Sequence, residues 1–214
     1  DEFWHFAFVQ HLADGKGLPA LDETQTTHLV RQEVAQPPLY YLLVTPVALV
    51  APDKQDLRDF TRNPHVAMGV PLFNANNRNM FIHTAAEGFP WQGTALAVHL
   101  IRIVSLIISV PVVICAYLLA LAFLRNDRHG AAFAAALVAF NPQFLFFSAS
   151  VNNDTLTNAL GAITLTFLLY GLSGRFGAGY PAILGVLTGL AVMSKQSGIV
   201  LVPVVGMALA WQAW

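Results

Sequence analysis

Four short stretches of this sequence hold side chains able to act on a bond. The first is Asp1-Glu2, with His5 four residues after Asp1. Positions i and i+4 of a helix share a face, so Asp1 and His5 would point together into a cleft. The plainer role is a solvated helix N-terminus, where the dipole favours acids. The second stretch is Glu33-Val34-Ala35-Gln36-Pro37-Pro38-Leu39-Tyr40-Tyr41. Its prolines fix the backbone ahead of an apolar run. They form either a rigid helix entry with aromatic anchors or a stiff hinge that holds Glu33 and Gln36 at a membrane surface. The third is Asn152-Asn153-Asp154, an acid in a short turn between apolar runs. Ionisable groups at membrane depth mark function, and Asp154 also suits the cap of the helix that follows; the two roles are compatible. The fourth is Met193-Ser194-Lys195-Gln196-Ser197-Gly198, where Lys195 is the only charge between Arg175 and the end of the chain. It serves either as a snorkelling anchor or as a contact for a phosphate. Acids beside a cation at a lipid–water boundary suit chemistry on a lipid phosphate.

The elements that must position these groups follow from composition. Of the 214 residues, 56% are hydrophobic and 11% charged, whereas soluble domains carry about 25% charged residues. An ordinary water-facing surface is excluded. Six of the 11 Lys and Arg and ten of the 12 Asp and Glu precede residue 98, so a polar first half is followed by an apolar second half. The net charge of −1 gives no reason to expect nucleic acid binding. Cys115 is the single cysteine, so no disulfide forms within the chain. The abrupt opening on Asp1-Glu2 reads as a segment of a longer protein, cut at both ends.

The apolar half divides into five expected spans, 103–124, 131–151, 155–172, 176–194 and 196–214, forming a transmembrane bundle over 98–214. Asn141-Pro142 interrupts the second, and Pro111 inside the first is tolerable in a membrane helix. Arg125, Arg128 and Arg175 fall on one side, which is cytoplasmic by the positive-inside rule. Asn152-Asn153-Asp154 and Lys195 then fall on the other side with residues 1–97, an outer loop domain. Within that domain, residues 1–13 are aromatic-rich and read as a helix at the membrane interface, ended by Gly15, Gly17 and Pro19. Residues 39–50 are apolar but too short to span, which suits an interfacial or re-entrant helix. Residues 62–93 lack periodicity and read as loop, with Phe89-Pro90-Trp91 as an aromatic anchor. The expected fold class is all-α: a polytopic helix bundle with interfacial helices in a large outer loop domain.

The ordered set Asp-Glu-x-x-His, Gln-Pro-Pro-Leu-Tyr-Tyr, Asn-Asn-Asp and Ser-Lys-Gln-Ser-Gly resembles the GT-C glycosyltransferases. More narrowly, it is similar to bacterial members of the protein O-mannosyltransferase and aminoarabinose transferase superfamily (family 39-like). The family begins with a span that is absent here. The resemblance implies a sugar donor on a polyprenyl phosphate, in a bacterial plasma membrane. It implies an acceptor hydroxyl or amine in the outer loop cleft, attacking the anomeric carbon with inversion. Asp1 matches the family's essential loop acid, a general base that must reach the acceptor proton. Asp154 matches a second acid that orients the acceptor or a cation. Lys195 matches a basic position at the donor phosphate, where its charge would stabilise the leaving group. Gln36 stands where some relatives have Lys. Tyr40 and Asn153 join the donor-binding set, and Glu2, His5 and Glu33 are expected as supporting or metal-contacting groups. A divalent cation is an open possibility, because relatives differ on it.

Two other classes compete. A non-catalytic GT-C-like subunit, packed against other membrane chains, would fill the cleft between Asp1 and Asp154 with side chains. A transporter would show inverted repeats and ionisable groups midway across the membrane; the sequence has no repeat, and its ionisable groups gather at one face.

Overall fold

The computed structural model describes residues 1–20, 30–66 and 79–214, without the side chains of Arg31 and Gln32. Among these residues the chain is an all-α assembly, with one isolated antiparallel bridge between Arg62 and Phe81 in place of any strand. The helices are α1 (Glu2–Ala13), α2 (Leu39–Leu49), α3 (Gly93–Phe123), α4 (Arg128–Ala139), α5 (Pro142–Ser148), α6 (Asp154–Leu172), α7 (Tyr180–Ser194) and α8 (Leu201–Ala213). Short 3₁₀ turns at Arg31–Ala35 and Gln196–Val200 lead into α2 and α8.

α3 organises the molecule. Its 31 residues reach about 46 Å at 1.5 Å per residue, although about 20 residues suffice to cross the bilayer core. The charge-free run from 103 supplies the crossing. The first third extends past it and carries the N-terminal region. Tyr40, early in α2, hydrogen-bonds Ser105 at 2.8 Å, and Gln55, beyond the end of α2, donates its backbone N–H to Thr94 at 2.9 Å. α2 therefore runs antiparallel along the first third of α3 and never travels the length of the bundle, in keeping with its twelve apolar residues being too few to span.

Three segments, α3, α6 and the run Gln196–Ala213, are long and apolar enough to cross a membrane, and a fourth crossing results if α4 and α5 act as one bent span. α6 packs between α3 and α7. Large apolar side chains on α3, such as Ile107, Val110 and Ile114, face outward without cover, as a lipid-facing surface requires. Two of the five expected spans differ. Residues 131–151 break at a 62° bend, because the Asn141 side chain accepts from the Gln143 and Phe144 N–H groups at 2.9 and 3.2 Å and starts a new helix with Pro142. In 176–194 the helix begins only at Tyr180, leaving 15 residues, since a glycine-containing turn consumes the start.

The aromatic helix α1 differs from expectation in its surroundings. Phe6, Phe8 and Val9 are buried against Tyr40, Tyr41 and Val44 of α2 and Ala97 and Ile101 of α3. The Phe8 and Tyr41 rings stack at 4.0 Å. Its apolar face is covered by protein and not by lipid. Of the expected loop 62–93, residues 67–78 lie outside the described residues; the remainder is irregular apart from the Arg62 bridge and a 3₁₀ turn at Ala85–Glu87.

Candidate functional site at the end of the bundle

Three chain segments meet where α6 begins and α7 ends. Asp154 is the first residue of α6, and Lys195 follows the last residue of α7. The Lys195 ammonium donates to the Asp154 carboxylate at 2.7 Å, and both side chains are roughly one-third exposed or less. Lys195 can stand here because the backbone after it folds tightly onto α7. A Cβ at Gly198 would collide with the carbonyl of Ala191, so only glycine permits this turn.

Behind that ion pair lies a buried amide. Asn153 is fully buried. Its side-chain N–H₂ donates to the Gln36 side-chain oxygen at 3.1 Å and to the Ser194 carbonyl at 3.2 Å. The Thr157 and Ser194 hydroxyls add a contact at 3.0 Å. One side chain thus joins the turn before α6, the end of α7 and the residue ahead of Pro37-Pro38. The Asn153 side-chain oxygen finds no partner among the described residues.

The third segment is the N-terminus of α1. Glu2 accepts two hydrogen bonds from Arg102 of α3, at 2.8 Å from Nε and 2.6 Å from Nη2. It also accepts the backbone N–H of Val151 at 2.8 Å. This bidentate clamp holds α1 against the turn that presents Asp154. Asp1 is more than half exposed at its tip, and its carboxylate lies 3.9 Å from Nε2 of His5.

His5 is buried. Its Nδ1 lies 2.7 Å from the Tyr41 hydroxyl and 3.3 Å from the Glu33 carboxylate. Burial lowers its pKa to about 4; Lys195 pushes the same way, while Asp154 and Glu2 oppose them. Glu33 is close enough to favour the charged ring, yet desolvation outweighs it. The Tyr41 hydroxyl, 2.7 Å from Nδ1, also reaches the Glu33 carboxylate at 3.5 Å, and Nε2 on the far side of the ring faces Asp1.

The expected residues therefore separate into two groups. Asp1, Asp154 and Lys195 keep exposed surface at one end of the bundle. Tyr40, Asn153, His5 and Glu33 are buried. As placed, Tyr40 and Asn153 have no surface to offer a donor, because packing against α3 and the amide contacts enclose them; they support the site from behind. Glu2 is engaged with Arg102. Gln36 meets Asn153. Arg102 lay outside the motifs, and Tyr41 and Ser194, which stand within two of them, were given no role of their own there. Arg102 had left a signal, since a charge inside an apolar helix needs a partner. Among the described residues no group of three or more His, Cys, Asp or Glu comes together as a metal site.

Residues 95–214 match the family described as dolichyl-phosphate-mannose-protein mannosyltransferase, which covers more than half of the chain. The chain belongs to this family. It is accordingly an integral membrane glycosyltransferase of the GT-C type, and the long apolar helices support the membrane location independently. The match includes Arg102, Asn153, Asp154 and Lys195, whereas Asp1, Glu2, His5, Glu33, Gln36 and Tyr40 precede it. No curated protein and no solved structure matches the chain.

Proposed function

We propose that this protein moves a sugar from a polyprenyl-phosphate donor to an acceptor at the outer face of a bacterial plasma membrane. The observation that carries the reading is the Asp154–Lys195 ion pair, 2.7 Å long, at the end of the bundle where Asp1 is held. Lys195 has three N–H donors and spends one on Asp154. The others are available to a donor phosphate. An acceptor hydroxyl or amine attacks the anomeric carbon from the side opposite the phosphate, with inversion. The bond between that carbon and the phosphate oxygen breaks, and the electron pair leaves with the polyprenyl phosphate. Lys195 offsets the negative charge that develops there. Asp1, the exposed acid, takes the acceptor proton, and neutral His5 orients it. Asp154 keeps Lys195 in place until the phosphate arrives. Residues 1–97 form the outer loop domain in this reading, and Arg125, Arg128 and Arg175 mark the cytoplasmic side.

Binding of undecaprenyl phosphate to the full-length protein in nanodiscs tests the assignment. Lys195→Ala should weaken it by tenfold or more, while Asp1→Asn should leave it intact and abolish transfer. Unchanged binding in Lys195→Ala would remove the phosphate site.

A further inference from the structure

Beside the Glu2–Arg102 clamp, a cleft of about 920 Å³ opens between the start of α1, the first turns of α3 and the segments that follow α2. Its walls differ from those of the lipid-facing helices. Five aromatic rings line it: Phe3, Phe6, Phe60, Phe81 and Trp91. Phe81 is the hub, with ring centroids 4.4 Å from Phe3 and 6.0 Å from Phe60. Trp91 is stacked on His99 at 3.9 Å, which fixes its plane. Rings held by other rings give flat apolar platforms at small entropic cost.

Four of the polar side chains lining the cleft are carboxylates, set among the amides and hydroxyls of Gln55, Gln92, Thr61, Thr84 and Thr94. Asp53, Asp59 and Glu87 are carboxylates on its wall, and Arg102, the one guanidinium among the described lining residues, is committed to Glu2. Glu87 also receives His83 at 2.6 Å, with both groups at the surface. Among the described residues that line the cleft, four carboxylates, Glu2 included, face one guanidinium. That field repels an anionic ligand, and ionised carboxylates accept hydrogen bonds only. A ligand suited to these walls presents apolar faces to rings and hydroxyl donors to acids. The volume lies in the range of sites that enclose a small ligand.

From these features we infer that the cleft binds the acceptor, and that the acceptor is a neutral, polyhydroxylated glycan whose sugar rings stack on Phe81 and Trp91 while its hydroxyls donate to Asp59 and Glu87. This deepens the transferase reading and rests on it for the word acceptor. Glu2 lines the cleft and is the neighbour of Asp1 in the chain. A glycan lying in the cleft therefore ends beside the exposed acid. Anionic acceptors, such as phosphorylated lipid headgroups, are excluded by the same charge pattern.

A glycan array carrying neutral, cationic and anionic glycans, probed with the full-length protein in nanodiscs, tests the inference. Neutral glycans should bind and sulfated or sialylated ones should not. Trp91→Ala and Phe81→Ala should each weaken binding at least tenfold, and Trp91→Phe, which keeps a ring, should retain most of it. Asp59→Asn should lessen the discrimination against anionic glycans. A thermal melt of each variant separates lost binding from lost folding. Absence of binding to any neutral glycan, preference for anionic or aminated ones, or full binding by folded Trp91→Ala would overturn the inference. Lys195→Ala separates the two proposals. If neutral glycans bind at the cleft but undecaprenyl phosphate never binds, the donor reading falls and the glycan site stands. The converse removes the acceptor class alone.

Discussion

The polar side chains of this protein are satisfied in two different ways, according to where they sit. Along the membrane-crossing helices, several threonine and serine hydroxyls bond within their own helix: Thr164 to the Leu160 carbonyl at 2.6 Å, Thr166 to Ala162 at 2.8 Å and Ser109 to Leu106 at 2.7 Å, while Tyr170 of α6 reaches across to the Leu118 carbonyl of α3 at 3.1 Å. At the end that carries the candidate site, polar groups bond between segments distant in sequence: Glu2 with Arg102 and Val151, Tyr40 with Ser105, and Asn153 with Gln36 and Ser194. The first arrangement makes a helix acceptable to lipid and asks nothing of its neighbours. The second fixes where acids and a lysine stand relative to one another, which is what preorganised chemistry requires. Shape at the site end is thus specified by hydrogen bonds, and in the spans by apolar packing.

The sharpest way to break this contrast is to remove Glu2. Glu2→Ala should destabilise the protein by about 3 kcal/mol, below the upper range for a fully buried pair because both partners retain some exposure. It strands the Arg102 guanidinium and the Val151 N–H together, so undecaprenyl phosphate binding should fall as well. A melting temperature within experimental error of the parent would show that the clamp holds nothing.

Acid should act on the site end next. The folded state keeps His5 neutral down to about pH 4, from an ordinary value of 6.5. Below 6.5 the unfolded chain takes a proton that the folded chain refuses, so stability is full above that value and declines as pH falls toward 4. The loss amounts to about 2 kcal/mol at about pH 5. His5→Gln should flatten this part of the stability profile. Carbon-13 labelled imidazole titration gives the direct check: a pKa above 6.5 would mean that Glu33 outweighs burial.

The smallest effects compare the two kinds of hydroxyl. Tyr40→Phe leaves Ser105 buried without its cross-helix partner and should cost about 1–2 kcal/mol. Thr164→Val removes a hydroxyl that served only its own helix and should stay within about 0.5 kcal/mol. Equal effects in chemical denaturation would erase the distinction drawn between the two regions.

How far the sequence could be read follows the same division. The absence of charge over 103–124 located the crossing part of α3, but Arg102 hid its true start at Gly93. The residue that accommodates Arg102 is Glu2, one hundred positions earlier, and no local pattern joins them. The Asn141-Pro142 pair was visible as an interruption of the second apolar run; the new helix it starts and the 62° bend were not. In α1 the run of aromatic residues reads equally as lipid-facing or core-facing, because burial of Phe6 and Phe8 depends on whether Tyr41 and Ile101 arrive to cover them.

Sequence alone determined that this chain lives in a membrane, that its helices alternate with short polar turns, and that Asp154 and Lys195 fall at one end. These are consequences of hydropathy and length, properties each segment carries by itself. Tertiary structure alone decided that Lys195 touches Asp154, that Asn153 and Tyr40 stand behind the site without facing it, and that α1 is held by Arg102. Those outcomes depend on which distant groups meet when apolar faces close, and desolvation then favours arrangements in which buried donors and acceptors find partners that only the closed structure supplies.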